Sequence, residues 1–330
     1  MSKLELSIAM VDCDRVRPLT DGTVAMDGVA PVFMTLDPEE IFFRAFRGAE
    51  FDIAELSLST FAIRTSRGDN PYVGVPVFPS RAFRHSGIYI RTDRGIRAPA
   101  DLKDRRIGLA EYQLTANVWI RAFLDDDFGV SPASVAWVRG GIEEAGRAEK
   151  VPIALPDGVR LTEAPAGRSL SELLLAGEID ALIGPRTPSA MTAANPQIGW
   201  LFPDPRSAAI ENYRRTKNFP IMHLIGVRKT LAERHPWLPA AVLKAFARAK
   251  TTAFTKLADT STGKVMLPFV DQQLREAQEL IGHDFWPYGV DPNRACLEYF
   301  LRQHHKQGLS DRLVAVSELF HPATSDVARI

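Results

Sequence analysis

Residues 37–58, DPEEIFFRAFRGAEFDIAELSL, limit the fold more than any other stretch of the chain. Asp37-Pro38 is a helix start: the aspartate can cap a free backbone N–H, and proline suits the first turn. Glu39 and Glu40 then meet the positive end of the helix dipole. Ile41, Phe42, Ala45 and Phe46 recur at helical spacing, so residues 37–47 carry an apolar face that must be covered. Residues 51–58 follow at once and read as a strand. With residues 4–10 as a first strand, the opening of the chain is strand, loop, helix, strand, which is the pattern of an α/β unit.

The pattern recurs. Residues 106–110 form a strand, and residues 116–126 a helix that stops before Gly129. Residues 135–138 are a further short strand. Residues 169–176 are amphipathic, and Gly177 leads into a buried-type strand at 179–184. Strand ends therefore carry Glu55, Ser57 and Ser59, then Glu111, Tyr112 and Gln113, then Arg186. In open α/β sheets ligands bind outside the carboxyl ends of strands, which makes these residues site candidates. Thr115 is placed to cap the helix that follows; its free N–H groups suit a carboxylate or phosphate, although a threonine capping its own helix with no ligand is the commoner arrangement. Arg186 is equally readable as a loop arginine paired to a local acid.

Two other stretches concentrate polar donors between apolar flanks. PVFPSRAFRHSGIY, residues 76–89, groups Arg81, Arg84 and His85, a set that suits an anion or a plain solvated turn. If the backbone stays extended, Arg81 and His85 face one side and Arg84 the other. NFPIMH, residues 218–223, ends in His223 at the start of a strand. Residues 203–215 look polar and irregular, a connecting segment. Residues 236–257 form a long amphipathic helix. The turn-rich run at 282–293 brings Phe285, Trp286 and Tyr288, which read as packing between terminal helices or as the wall of an aromatic ligand.

Forty basic residues balance forty acidic ones, so there is no net field to draw nucleic acid or an anionic membrane, and the partner is expected to be a small molecule. Cys13 and Cys296 belong to no CxxC or Cys/His cluster, which excludes a zinc motif and a disulfide framework. The first residues lack the continuous apolar core of a signal peptide, and no apolar run is long enough for a membrane span, so a cytoplasmic protein is expected.

Taken together, two α/β units with passages near residue 90 and near residues 210–220 resemble the two-domain type II periplasmic-binding-protein-like fold. That likeness implies residues 1–90 plus 216–330 as one domain, 91–215 as the other, two crossovers and a ligand cleft between the domains. A closer likeness runs in order along nearly the whole chain. FDIAELSLSTF, PVFPSRAFRHSGIYI, PADLKDRRIGLAEYQLTANVWIRAFL, WVRGG, NFPIMH, HPWLPAAVLKAFARAK, DFWPYGV and QGLS resemble the 4,5-dihydroxyphthalate decarboxylases. The resemblance implies non-oxidative decarboxylation of 4,5-dihydroxyphthalate to protocatechuate and carbon dioxide. The competing reading is a non-enzymatic solute-binding protein for an aromatic acid or other small anion.

Such a substrate needs cations for two carboxylates and polar groups for two hydroxyls. Arg81, Arg84 and Arg186 are the carboxylate candidates, since a guanidinium meets both oxygens at once. The N–H groups near Gln113 and Thr115 offer a second cradle, and Glu55, Ser57, Ser59, Tyr112 and Gln113 suit the phenolic hydroxyls. For the chemistry, His85 or His223 is the candidate proton donor to the ring carbon, with Glu55 or Glu111 polarising the hydroxyl. No cofactor is called for. No ligand spacing points to a metal, and a divalent ion is the secondary option. The sequence leaves homo-oligomerisation open.

Overall fold

A computed structural model of the chain describes residues 3–192 and 195–325. It divides into two compact units. The first comprises residues up to Arg81, Ile221–Glu298 and residues from Val314 on; the second comprises Ala82–Pro220 and Tyr299–Leu313. The chain thus changes unit at 81/82 and 220/221, where the sequence reading places the divisions at 90/91 and 215/216. Residues 299–313, grouped by sequence with the first domain, lie in the second unit.

Among the described residues the strands, in chain order, are β1 (Leu4–Met10), β2 (Val29–Thr35), β3 (Ile53–Ser57), β4 (Tyr72–Arg81), β5 (Ile88–Arg91), β6 (Arg106–Leu109), β7 (Ala136–Arg139), β8 (Arg160–Glu163), β9 (Ala181–Ile183), β10 (Ile198–Trp200) and β11 (Ile221–Arg228). Unit 1 holds a sheet of order β2-β1-β3-β11-β4, with β1 parallel to β2 and β3, and β11 antiparallel to both β3 and β4. Unit 2 holds a sheet of order β10-β5-β9-β6-β7-β8, parallel from β9 to β8 and antiparallel at its other edge.

The opening helix forms as its sequence predicts. It spans Pro38–Gly48, the Asp37 side chain accepts from Glu39 N at 2.9 Å, and Ile41, Phe42, Ala45 and Phe46 are buried. β3 runs into the helix Leu58–Arg67 without a loop, and that helix closes on Gly68, whose φ of 74° is one that glycine adopts without a Cβ penalty. Unit 1's core joins β1, β3, β4 and β11 to the helix Leu238–Ala258 through Ile8, Ile53, Val75, Ile225, Val242 and Phe246, all fully enclosed. In unit 2 the helix Leu170–Ala176, capped by Ser169, packs Leu170, Leu173 and Leu174 on the sheet.

Three local expectations change. Residues 203–215, read as irregular, form the helix Pro205–Thr216, capped by the Asp204 side chain. The Asp-Pro pair that signals this start is the same as at 37–38; the weak apolar face hid it. Thr115 does not cap the helix Thr115–Phe128 but is its first residue, with Leu114 in the cap position. The extended run through 76–89 also ends early. β4 stops at Arg81, and His85–Gly87 is a 3₁₀ turn, so the alternation of sides assumed for Arg81, Arg84 and His85 has no extended backbone to act on.

Candidate active site

In unit 1 three strands deliver polar side chains to one end of the sheet. β3 runs parallel to β1 and antiparallel to β11, so the carboxyl ends of β1 and β3 lie beside the amino end of β11. In the ladder His223 stands opposite Ser57 and Ile225 opposite Glu55. Residues two apart on a strand share a face, as do directly opposed residues, so Glu55, Ser57 and His223 point to the same side. His223 Nδ1 and Glu55 Oε1 are 2.6 Å apart. The other oxygen, Oε2, accepts from Val11 N at 3.1 Å. The carboxylate is enclosed, with 3% of its side chain exposed, while the imidazole retains 17%. A buried carboxylate on Nδ1 fixes which ring nitrogen faces outward. Nε2 has no hydrogen-bond partner among the described residues. Phe42 packs edge-on against the ring at a centroid distance of 4.8 Å.

β11 is irregular at this point. Its register with β4 shifts on both sides of His223, between Ile221 and His223 and again between His223 and Ile225. Such irregularities re-aim a side chain, and here they flank a histidine that carries a carboxylate partner.

Arg15, not singled out from sequence, joins Trp286, Tyr288, Arg81 and Ser59 at this end of unit 1. Arg15 donates Nε to Pro79 O at 2.6 Å and lies over the Trp286 ring at 4.5 Å, while Trp286 Nε1 donates to Phe78 O at 2.8 Å. Tyr288 packs against the core beside Cys13, and its hydroxyl is buried with no hydrogen-bond partner among the described residues. Burial pushes the Cys13 thiol up to about 11, so it stays protonated and is a poor nucleophile. Arg81 is buried and holds the 282–293 run: Nη2 donates to Pro287 O at 2.9 Å and to Asn293 Oδ1. Ser59 is enclosed in the first turn of its helix.

In unit 2 the end of β6 is already occupied. Glu111 is fully buried; its Oε1 takes Lys150 Nζ at 2.6 Å and Arg147 Nη2 at 2.6 Å, and its Oε2 takes Lys150 N at 3.1 Å. Oε1 is spent on two cations of the chain itself and Oε2 on a backbone N–H, so Glu111 is not placed to polarise a substrate hydroxyl. Burial raises its pKa and Lys150 opposes the rise. The expected anion cradle beside it also holds an internal anion. Glu149 accepts from Tyr112 N at 2.7 Å and from Gln113 Nε2 at 2.7 Å, with Arg139 Nη1 at 3.5 Å. Gln113 Nε2 also reaches Val151 O at 2.8 Å. Tyr112 lies under the Arg121 guanidinium, 3.8 Å from the ring centroid, and Thr115 is buried. The signal for this arrangement is only the charge alternation of Arg147, Glu149 and Lys150, in a segment with no periodicity.

His85 and Arg84 sit together in unit 2, contrary to the expected outward Arg84. His85 is stacked on Phe123 at 4.5 Å and 8°, with Phe202 edge-on at 5.4 Å. Burial pushes its pKa down to about 4. The ring is therefore neutral near pH 7, which is unsuited to the donor role proposed for it from sequence. Arg186 is exposed in the bend after β9. Among the described residues no group of three or more His, Cys, Asp or Glu side chains is arranged to hold a metal, and no helix is long and apolar enough to cross a membrane.

No protein-family model matches the chain. A curated 4,5-dihydroxyphthalate decarboxylase of Comamonas testosteroni is 57% identical over 330 residues, covering 100% of each chain. One of Pseudomonas putida is 57% identical over 214 residues, 65% of this chain and 83% of that one. Among solved structures, the periplasmic aliphatic sulphonate binding protein SsuA of Escherichia coli superposes with a TM-score of 0.57 at 12% identity, covering 98% of this chain and 99% of that one. The alkanesulfonate-binding protein SsuA of Xanthomonas axonopodis, bound to MOPS, gives 0.53 at 12% identity, with 97% and 99% covered. At such identities the likeness establishes the fold alone, a two-domain α/β fold of the periplasmic-binding-protein type.

Proposed function

The chain belongs to the 4,5-dihydroxyphthalate decarboxylase family, a carboxy-lyase family, and from that premise we propose that its reaction runs through the Glu55–His223 pair. The substrate is 4,5-dihydroxyphthalate and the products are protocatechuate and carbon dioxide. The hydroxyl para to the departing carboxylate, once it has given its proton to water, makes the ring carbon that bears the carboxylate nucleophilic. His223 Nε2 gives a proton to that carbon. The C–C bond then breaks, its electrons restore the aromatic ring as carbon dioxide leaves, and the phenolate and the histidine each regain a proton from water. One proton is consumed for each carboxylate lost.

The observation that carries this reading is the 2.6 Å contact between His223 Nδ1 and Glu55 Oε1. Glu55 acts through the imidazole. Its oxygens are taken by His223 and Val11 N, so it positions the donor rather than polarising the hydroxyl. Ser57, opposite His223 on the same face, is the residue we assign to the phenolic hydroxyl. The substrate's own hydroxyl acts as the electron sink, so the route needs no cofactor or metal. Neither Cys13 nor Cys296 is in a disulfide, which suits the cytoplasmic location we propose, where thiols stay reduced.

The test is carbon dioxide release by His223→Gln with 4,5-dihydroxyphthalate. General acid catalysis typically contributes about 10²–10⁴-fold, so turnover should fall by at least the lower figure. Native turnover in this variant would remove His223 from the mechanism.

A further inference from the structure

Unit 2 contains a pocket that the decarboxylation mechanism does not use. Arg84 and His85 line it, with Trp119, Phe123 and Tyr299 as aromatic walls, and its volume is about 60 Å³. One water needs about 10–15 Å³ on this measure, so the space corresponds to a handful of waters, roughly the bulk of one substituted benzene ring.

The walls specify the ligand. His85 lies flat on Phe123, and Trp119 is stacked on Tyr299 at 5.7 Å and 23°, so flat faces border the space. His85 is 5% exposed, and its Nδ1 has no hydrogen-bond partner among the described residues, a cost that a ligand oxygen would relieve. Arg84 brings a cation into the same pocket. A desolvated guanidinium favours an anion that it can meet with two parallel hydrogen bonds. Asp126 and Asp127 also line the pocket; Asp126 accepts from Tyr299 and Gln303 with Lys306 at 3.4 Å, and Asp127 accepts from Asn212 and pairs with Arg215, a second lining cation, at 2.5 Å, so within the lining the charges balance with Arg84 included. They would repel a second negative charge on the ligand.

We propose that this pocket binds a small planar aromatic monocarboxylate, the chemical class of the decarboxylation product, and discriminates against the dicarboxylate substrate. The carboxylate meets Arg84, an oxygen meets His85 Nδ1, and the ring lies along the aromatic walls. Arg215 is spent on Asp127, which leaves Arg84 as the cation for the ligand, and a second carboxylate would have only Asp126 and Asp127 to meet.

Calorimetric titration of the purified protein with benzoate tests this. Saturating phthalate is present, since it carries both substrate carboxylates but lacks the hydroxyl that the reaction needs. The expected result is one benzoate bound per chain, undisturbed by phthalate and weakened about tenfold or more by Arg84→Gln. His85→Phe keeps the ring stack and removes the nitrogens; it should weaken benzoate similarly, and it carries the test if Arg84→Gln does not fold. Displacement of benzoate by phthalate, absence of binding at millimolar benzoate, or native affinity in His85→Phe would each overturn the proposal.

Discussion

His223 and Glu55 meet diagonally across two antiparallel strands: His223 pairs in the ladder with Ser57, yet its Nδ1 contacts the carboxylate two residues further back at 2.6 Å. Diagonal neighbours stand about 7–8 Å apart at their Cα atoms, a span that only long side chains close. A glutamate and a histidine close it; an aspartate in place of Glu55 would not.

The first prediction follows from that span. Glu55→Asp should reduce kcat by about 10- to 100-fold with little change in KM, because the imidazole loses its hold while the substrate contacts remain. Glu55→Gln should keep the ring in place and lower kcat while altering the pH–rate profile. A KM effect alone, with native kcat, would assign Glu55 to substrate binding instead.

For Glu111 the expected outcome is loss of stability without loss of chemistry. Glu111→Gln leaves Lys150 buried without its counter-charge, and breaking a buried pair in this way costs about 3–5 kcal/mol. Urea unfolding should show that loss, while turnover per folded molecule stays within a few-fold of native. A large fall in kcat in a variant of native stability would restore Glu111 to the mechanism.

Removal of metal provides a third check. Dialysis against EDTA should leave turnover unchanged, whereas a metal that generates or polarises a reacting group contributes several kcal/mol and its loss is unmistakable. Activity that disappears on dialysis and returns with a divalent ion would refute the metal-free route.

His85 predicts a pH dependence of stability. Burial holds its folded-state pKa at about 4, against an unfolded value near 6.5. The unfolded chain therefore binds the proton more readily between these values. The stabilisation from keeping the ring neutral is fully present above about pH 6.5 and is lost as pH falls towards 4, a change of up to about 3 kcal/mol. Unfolding free energies at pH 7 and pH 5 should differ more for the native protein than for His85→Phe, which has no such proton to bind. Equal pH dependence in the two would show that His85 is solvated.

Much of this was legible in the sequence, for reasons that differ by element. The helix Pro38–Gly48 was readable because cap, dipole and apolar face agree within eleven residues. Glu55, Ser57 and His223 were readable as strand-end residues, but their common face depends on a strand pairing between positions 168 apart, which local pattern does not encode. Glu111, Tyr112 and Gln113 follow the carboxyl end of β6, as the strand pattern implies, but the partners they meet there are internal. The ligands they hold come from Arg147, Glu149 and Lys150, in a loop whose docking no periodicity announces. His85 looked like a titrating donor because a sequence shows its neighbours in the chain and not Phe123 or Phe202, which desolvate it.

Glu149 supports the last prediction. Its carboxylate sits on Tyr112 N, Gln113 N and Gln113 Nε2, the donors at the end of β6 that would otherwise be open to an external anion. Glu149→Ala removes the internal anion and leaves those donors with Arg139 nearby, so an oxyanion from solution should take its place. Anything that binds only the folded state stabilises it in proportion to RT ln(1 + [L]/Kd), and each kcal/mol gained raises Tm by about 2–4 °C in a chain of this size or somewhat smaller. Sulfate at matched ionic strength should therefore raise the Tm of Glu149→Ala more than that of the native protein, in which the carboxylate already fills the position. An equal sulfate response in both proteins would mean that the cradle collapses when Glu149 is removed, and that the side chain builds the donors' geometry rather than occupying a site formed without it.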